Sequence, residues 1–216
     1  NNPEKFVDRL DDMGVTRKIG LEIKGEGTPR IPHPDDKGWN GLSLPWMAFG
    51  YGVAITPLQN LAFYNAIAND GEMVKPRFIK EVKEWDKTIV KMDREVINPA
   101  ICSPETAKKV REMMKNTVKR GTAANIYTPN FSMAGKTGTC QTEYWIEPGR
   151  YIASFAGYFP ADNPKYSCIV VVHKPKRSKG YYGNIVAAPV FKRIAQKIYT
   201  DTPIMDELPS LEVESK

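Results

Sequence analysis

Cysteine and histidine are scarce in this 216-residue sequence, and this scarcity excludes several kinds of chemistry. The three cysteines, Cys102, Cys140 and Cys168, have neither the spacing of a metal site nor that of a redox motif. We therefore expect free thiols with no disulfide between them. Neither His33 nor His173 has a clear catalytic partner, so a Ser-His-Asp mechanism is unsupported. No cofactor and no metal ion are expected.

Long apolar runs are also absent, and no stretch has the length and composition of a membrane span or a signal peptide. The sequence starts with Asn1-Asn2-Pro3 instead of methionine, which favours a piece of a longer chain and leaves open an anchor that this piece does not contain. The net charge is +6, which indicates either a solvated basic surface, the simpler interpretation, or an anionic partner. No basic stripe interleaved with aromatic residues points to nucleic acid.

The remaining composition is that of a globular domain, with 41% hydrophobic and 26% charged residues. Apolar spacing predicts helices that begin at Asn2, Thr56, Ser103 and Asn184. The pattern also predicts an extended piece over 19–23, a loop over 25–45, a hairpin over 78–85 and 88–92, and three later strands, around Lys136 and over 151–159 and 166–172. The last strand is apolar at nearly every position, which predicts burial on both faces. Sequential strands with short connections favour an antiparallel sheet packed with helices, an α+β fold.

One of these strands carries the chemistry that stands out in the sequence, Ala134-Gly135-Lys136-Thr137-Gly138-Thr139. Lys136 supplies a positive charge with three hydrogen-bond donors, and Thr137 and Thr139 add hydroxyls that can bind an oxyanion or a carboxylate. Gly138 has no side chain, so another backbone can approach the strand there. If this strand lines a cleft, an extended peptide can add to it as a further strand.

This stretch and several other blocks resemble class B penicillin-binding proteins, in the order found there. Lys-Thr-Gly is the third signature of penicillin-binding proteins and class A β-lactamases. The other matching blocks are Gly50-Tyr51-Gly52, Thr56-Pro57-Leu58-Gln59, Asn69-Asp70-Gly71, Gly121-Thr122-Ala123, 153–160 and 186–191. The similarity covers residues 1 to about 200, and the Tyr-Gly form of the glycine pair favours the cell-division branch over the elongation branch.

The resemblance implies a penicillin-binding/β-lactamase-like fold, with residues 1–202 as the C-terminal portion of a transpeptidase domain and 203–216 as a polar tail. It implies a peptidoglycan D,D-transpeptidase that cross-links stem peptides through a serine acyl-enzyme and is acylated by β-lactam antibiotics. It also implies an anchored protein on the extracytoplasmic face of the bacterial plasma membrane. The expected partners are the N-terminal half of the same domain and membrane proteins of cell division or wall synthesis.

The same resemblance gives each residue of the strand a role. Lys136 would place its charge beside the substrate carboxylate, and Thr137 and Thr139 would bind that carboxylate through their hydroxyls. Gly138 would let the substrate backbone run antiparallel to the strand. The backbone N–H of Thr139 would form half of the oxyanion hole.

The sequence departs from the family at the other two motifs. No serine has lysine three residues later, and none has asparagine two residues later. Tyr182-Gly183-Asn184 resembles the Tyr-x-Asn variant of the second motif, but it follows Lys136, whereas the family places that motif earlier. A turn before the last helix is therefore the preferred interpretation. We expect both motifs to lie upstream of Asn1, which would leave this chain inactive by itself.

Two alternatives stay open from the sequence. A β-lactamase or penicillin sensor of the same fold is opposed by the class B blocks and by the lack of a deacylating glutamate that can be placed. A non-catalytic binding module would lack the Ser-x-x-Lys motif in the full-length gene as well.

Overall fold

The computed structural model describes residues 2–143, 145–146 and 149–201. Its helices are α1 (Pro3–Asp12), α2 (Ser43–Ala48), α3 (Pro57–Ala68), α4 (Pro104–Arg120), α5 (Gly183–Val186) and α6 (Ala188–Asp201). Its strands are β1 (Met73–Val74), β2 (Glu81–Glu84), β3 (Lys87–Lys91), β4 (Val96–Asn98), β5 (Ala134–Thr142), β6 (Arg150–Phe159) and β7 (Tyr166–His173). The predicted polar tail, 203–216, lies outside the described residues.

Three of the predicted helices begin where the sequence places their capping residues. The side chain of Asn2 accepts a hydrogen bond from the Lys5 N–H, and that of Ser103 accepts one from the Thr106 N–H. Thr56 forms a full capping box with Gln59 at the start of α3. Each cap is followed by proline, whose fixed backbone angle suits the first turn of a helix. These starts of α1, α3 and α4 confirm the predictions.

The principal sheet has the order β5-β6-β7, and both pairs are antiparallel. This confirms the predicted α+β fold with an antiparallel sheet. Gly138 lies opposite Ser154 on β6. Because β6 lies between the strands that carry Cys140 and Cys168, about 9 to 10 Å separates those strands. A disulfide needs Cα atoms within about 7 Å, so this pair cannot form one here.

The sheet is packed between helices on its two faces. On one face, Phe155 of β6 lies 4.8 Å from Phe191 of α6, measured between ring centroids, and both side chains are fully buried. On the other face, Tyr158 of β6 belongs to a buried cluster with Ile67 of α3 and Met114 of α4. The two apolar layers hold β5 and β6 in place, so the Lys-Thr-Gly stretch rests on a supported strand.

The prediction that the strand after Pro164 is buried on both faces is wrong for the described part of the chain. Residues 167–172 of β7 are half-buried and both ends of the strand are exposed. The reason is its position, because β7 is an edge strand with β6 as its neighbour on one side. Its apolar sequence is therefore less covered here than a central strand would be.

Other predicted elements have different boundaries or types. The hairpin is shorter than predicted, and β1 and β4 form a small sheet that the sequence did not indicate. Helix α2 starts inside the predicted loop. The last predicted helix is divided into α5 and α6, and Pro189 lies in the first turn of α6, where its missing N–H costs no hydrogen bond. None of the described helices has both the length and the apolar character needed to span a bilayer.

The extended piece predicted over 19–23 is not a strand. The backbone N–H groups of Ile19, Gly20 and Leu21 instead donate to the carboxylate of Glu26, at 2.5, 3.0 and 3.0 Å. The Glu26 carboxylate thus accepts the N–H groups that would otherwise donate to a neighbouring strand. The bond from Leu21, followed by those from Ile19 and Gly20, lowers the pKa of Glu26 below its ordinary value.

This carboxylate makes stability depend on pH. The pKa of Glu26 is lower in the folded state than in the unfolded state, so its ionised carboxylate stabilises the fold. This stabilisation is fully present at a pH above the unfolded-state pKa, and it is lost as the pH falls through the folded-state pKa. We expect Glu26→Gln to be less stable than the parent at neutral pH and equally stable in acid, measured by urea unfolding across that range. Glu22→Gln, at an exposed carboxylate in the same segment, is the control. A constant stability difference at every pH would contradict this account.

Candidate active site

In the part of the chain that the structure describes, no strand pairs with the outer edge of β5, so this edge is open to an added strand. The N–H of Gln141 donates to the hydroxyl of Tyr51 at 2.9 Å instead of to β6, so this N–H points to the open edge. Alternate residues of an antiparallel strand direct their N–H groups to the same side. The N–H groups of Thr137 and Thr139 therefore point to the open edge too. They are the donors that an extended peptide or an oxyanion at this edge would meet.

Lys136 lies on this strand with an exposed side chain. Its Nζ donates to the carbonyl of the next residue, Thr137, at 3.0 Å, and it forms no ion pair among the residues that the structure describes. Because Lys136 and Gly138 are two residues apart, they share one face of the strand. The site thus holds a cation close to the outward N–H groups, with no carboxylate neutralising it in the described ranges.

The two threonine hydroxyls have specific partners. Thr137 Oγ1 lies 3.0 Å from Thr122 Oγ1, and Thr139 Oγ1 accepts a hydrogen bond from the Gly183 N–H at 3.0 Å. Because Thr139 accepts this bond, its own hydroxyl proton remains available for a ligand. The sequence alone assigns no role to Thr122 or Gly183. Both nevertheless lie in recognisable stretches of sequence, Thr122 in the Gly-Thr-Ala block and Gly183 in the Tyr-Gly-Asn stretch.

Two glycines allow the close packing behind this strand. A β-carbon at Gly138 would lie 2.5 Å from Ser154 Oγ. A β-carbon at Gly183 would lie 2.4 Å from the Ser154 carbonyl oxygen and 2.7 Å from that of Gly138. The atoms near Gly183 belong to the backbone and cannot move aside by a side-chain rotation, so packing requires glycine at position 183. The atom nearest to Gly138 is the Ser154 hydroxyl, which can rotate, so a side chain at position 138 would need that hydroxyl to move.

A tyrosine cluster borders the end of the strand. The rings of Tyr151 and Tyr181 stack with centroids 4.1 Å apart, and Tyr182 follows at 4.4 Å from Tyr181. The hydroxyl of Tyr181 donates to that of Tyr182 at 3.1 Å, and this hydrogen bond raises the pKa of Tyr181. Half of the Tyr182 surface is exposed. Gly183 follows Tyr182 in the chain and bonds to Thr139, so the cluster places an aromatic surface close to Thr139.

The structure does not bring all noted motifs into the site in the same way. Gly183 contacts the strand, whereas the backbone carbonyl of Asn184 accepts a hydrogen bond from Asn125 Nδ2 at 2.7 Å. Residues 182–184 form the start of α5, in agreement with their interpretation as a connection into the last helix. Within the described ranges, no group of His, Cys, Asp and Glu side chains is arranged to hold a metal ion.

The comparison with protein families identifies the fold to which this strand belongs. The family model described as the penicillin binding protein transpeptidase domain matches residues 1–196. The chain belongs to this family. This confirms the family resemblance found in the sequence and the type of fold expected from it.

Curated relatives of this transpeptidase-domain chain are considerably longer. It is 33% identical over 212 residues to penicillin-binding protein PbpB of Mycolicibacterium smegmatis, covering 89% of this chain and 31% of that protein. It is 32% identical over 219 residues to stage V sporulation protein D of Bacillus subtilis, covering 99% and 32%. The chain therefore spans about a third of the length of these relatives.

Solved structures agree with the assignment to this family. Penicillin-binding protein 3 of Mycobacterium tuberculosis in its apo form has a TM-score of 0.80 at 33% identity, covering 94% of this chain and 47% of that chain. The same protein complexed with ampicillin has a TM-score of 0.80 at 32% identity, covering 99% and 48%. The transpeptidase domain of penicillin-binding protein 3 from Burkholderia pseudomallei has a TM-score of 0.77 at 26% identity, covering 97% and 60%.

Proposed function

We propose that residues 1–202 form the C-terminal portion of the transpeptidase domain of a peptidoglycan D,D-transpeptidase of the cell-division type. Relatives named peptidoglycan D,D-transpeptidase FtsI, from two Buchnera strains, support the reaction class. Solved structures of Mycobacterium tuberculosis penicillin-binding protein 3 with aztreonam and with ampicillin support β-lactam antibiotics as ligands. The full-length protein would act on the outer face of the plasma membrane, anchored by a segment upstream of Asn1.

The observation that carries this proposal is the open edge of β5. It combines a cation that forms no ion pair among the described residues, a threonine hydroxyl and outward N–H groups within four residues, from Lys136 to Thr139. A stem peptide that ends in D-Ala-D-Ala carries a terminal carboxylate and a peptide backbone, and this edge offers a partner for each of them. The tight packing of Gly183 against the carbonyl oxygens of Gly138 and Ser154 supports a fixed position of these donors.

We propose the following roles, which come from the family resemblance and which this arrangement supports. The nucleophilic serine, supplied by the upstream part of the domain, attacks the carbonyl of the penultimate D-Ala. The N–H of Thr139 donates to the oxyanion that forms, a type of interaction that stabilises the transition state more than the ground state. Lys136 and the hydroxyls of Thr137 and Thr139 hold the terminal carboxylate. The terminal D-Ala leaves, and an amine of a second stem peptide accepts the acyl group from the serine.

A lysine substitution in the full-length protein tests this assignment. We expect Lys136→Ala to slow acylation by labelled penicillin about thirtyfold, because a charge-assisted hydrogen bond contributes about 2 kcal/mol. The melting temperature should stay unchanged, since the Lys136 side chain is exposed and forms no ion pair in the described residues.

The matched control is Lys109→Ala, an exposed lysine on α4, which should acylate at the parent rate. A large fall in melting temperature with an unchanged acylation rate would make Lys136 structural and its proposed role wrong. Rapid hydrolysis of the parent's adduct would favour a β-lactamase over a transpeptidase.

A further inference from the structure

The positive charge of the chain is concentrated in one segment. Residues 163–200 contain eight lysines and arginines and no aspartate or glutamate. The rest of the sequence contains 23 basic and 25 acidic residues. The net charge of +6 therefore originates from the segment that holds β7, α5, α6 and the loop between β7 and α5.

Half of these cations lie in that loop, which we call the basic loop, residues 174–179 with Lys174, Lys176, Arg177 and Lys179. Its first N–H, that of Lys174, donates to the carbonyl of Tyr151 at 2.9 Å. Arg177 lies against the β5–β6 connection, since a β-carbon at Gly149 would be 2.8 Å from its Nη1. The basic loop thus covers the end of the sheet at which β5 ends.

Most cations of the basic loop have no ion-pair partner among the residues that the structure describes. Glu143 pairs with Arg150, and its Oε2 also lies 3.4 Å from Lys174 Nζ. The side chains of Lys176, Arg177 and Lys179 are exposed and form no ion pair with any described residue. A charge whose role is to stabilise the fold is expected to pair with an opposite charge of the same fold. These three charges are exposed at this end of the sheet.

The basic loop is connected directly to the candidate site. Gly180 follows the basic loop in the chain. The ring of the next residue, Tyr181, stacks on Tyr151, and the N–H of Gly183 donates to the Thr139 hydroxyl. A donor peptide that runs antiparallel to β5, with its terminal carboxylate near Lys136, extends its upstream residues toward the end of the strand. At about 3.3 Å per residue, a few upstream residues span the distance from Lys136 to the basic loop.

We propose that the basic loop selects donor peptides that carry carboxylates upstream of their D-Ala-D-Ala end. This inference rests on the proposed function, because it uses the direction in which the substrate binds along β5. The loop acts by long-range attraction and not by touching the reacting atoms, so it sets substrate preference and leaves the chemical step to the strand.

The test uses the full-length protein and two synthetic donor peptides. Both end in D-Ala-D-Ala, and they differ only in whether the upstream side chains carry carboxylates or carboxamides. With a fixed acceptor amine, kcat/KM for D-alanine release should favour the acidic peptide about tenfold at low salt. The variant Lys176→Ala/Arg177→Ala/Lys179→Ala should lose this preference and keep the parent rate with the carboxamide peptide. Salt should reduce the preference of the parent, because it screens exposed charges.

The matched control is Lys108→Ala/Lys109→Ala/Arg193→Ala, which removes the same charge from exposed positions on α4 and α6. It should keep the preference for the acidic peptide. Loss of the preference in this control would show a general charge effect and overturn the role of the basic loop, as would equal rates of the parent with both peptides.

Penicillin separates this inference from the function on which it rests. It lacks the upstream peptide, so at a salt concentration that screens long-range attraction to its own carboxylate, the parent and the basic-loop variant should acylate at the same rate. If the parent is acylated but has no peptide preference, the inference fails and the proposed function stands. If the parent is not acylated at all, the proposed function fails, and the inference fails with it.

Discussion

The 216-residue chain by itself should form no covalent adduct with labelled penicillin, whereas the full-length protein should give a stoichiometric one. Acylation requires a nucleophile activated by an adjacent base. No serine in this chain has a lysine three residues later, so the Ser-x-x-Lys arrangement is absent from it. In the proposed site, Lys136 and the Thr139 N–H would position a ligand, but they would not supply the bond to an acyl group.

The measurement is a gel of both proteins after incubation with labelled penicillin. Circular dichroism of the shorter chain supplies the control that it retains helix and sheet. Addition of unlabelled penicillin should remove the band of the full-length protein. A stoichiometric band on the shorter chain would identify one of its own serines, such as Ser132 or Ser154, as the nucleophile. The proposed division of the site between two parts of the domain would then be abandoned.

The helix starts could be predicted because their causes are local. Asn2, Thr56 and Ser103 each bond to a backbone N–H three residues later, so the interaction lies within one short stretch of sequence. Strands β6 and β7 were visible for a similar reason, since each is a largely apolar run, whereas β5 was visible through its Lys-Thr-Gly stretch. Segment 19–23 could not be predicted in this way. Its alternation resembles a strand, but Glu26 takes its N–H groups, and sequence alternation does not reveal that contact.

The burial of β7 also depends on more than its own sequence. Its apolar residues favour a central position, but a strand becomes central only if another strand pairs with its second edge. In the described residues, β6 is its one neighbour in the sheet. The apolar residues of a strand indicate how much surface it can bury. The number of strands that pair with it depends on the rest of the fold, so the sequence of β7 alone does not predict its burial.

The strand that carries the candidate site could be predicted from the sequence, but the contacts that its side chains make could not. The Lys-Thr-Gly stretch identifies β5 because the whole motif is contiguous. The hydrogen bonds of Thr137 with Thr122 and of Thr139 with Gly183 connect residues 15 and 44 positions apart. The blocks that contain Thr122 and Gly183 were recognised, but only the folded chain shows that they meet at β5.

Gly183 should tolerate a side chain far less well than its neighbour Asn184. A β-carbon at position 183 would lie 2.4 Å from the Ser154 carbonyl oxygen, so Gly183→Val must push α5 away from β5 and β6. We expect it to lower the free energy of unfolding by about 3 kcal/mol, the upper part of the usual range for overpacking. The hydrogen bond to Thr139 would be lost as well, and penicillin acylation should fall with it. Urea unfolding and acylation kinetics of the full-length variant measure both effects.

Asn184→Ala is the informative comparison, because it also tests the resemblance to a Tyr-x-Asn motif. The described contact of Asn184 uses its backbone carbonyl, which accepts from Asn125 and survives the substitution. We therefore expect Asn184→Ala to acylate within about twofold of the parent, since surface changes of this kind alter free energies by about 0.5 kcal/mol or less. A loss of acylation with normal stability in Asn184→Ala would assign this side chain a catalytic role. The second motif of the family would then lie after Lys136 in this protein and not upstream of Asn1.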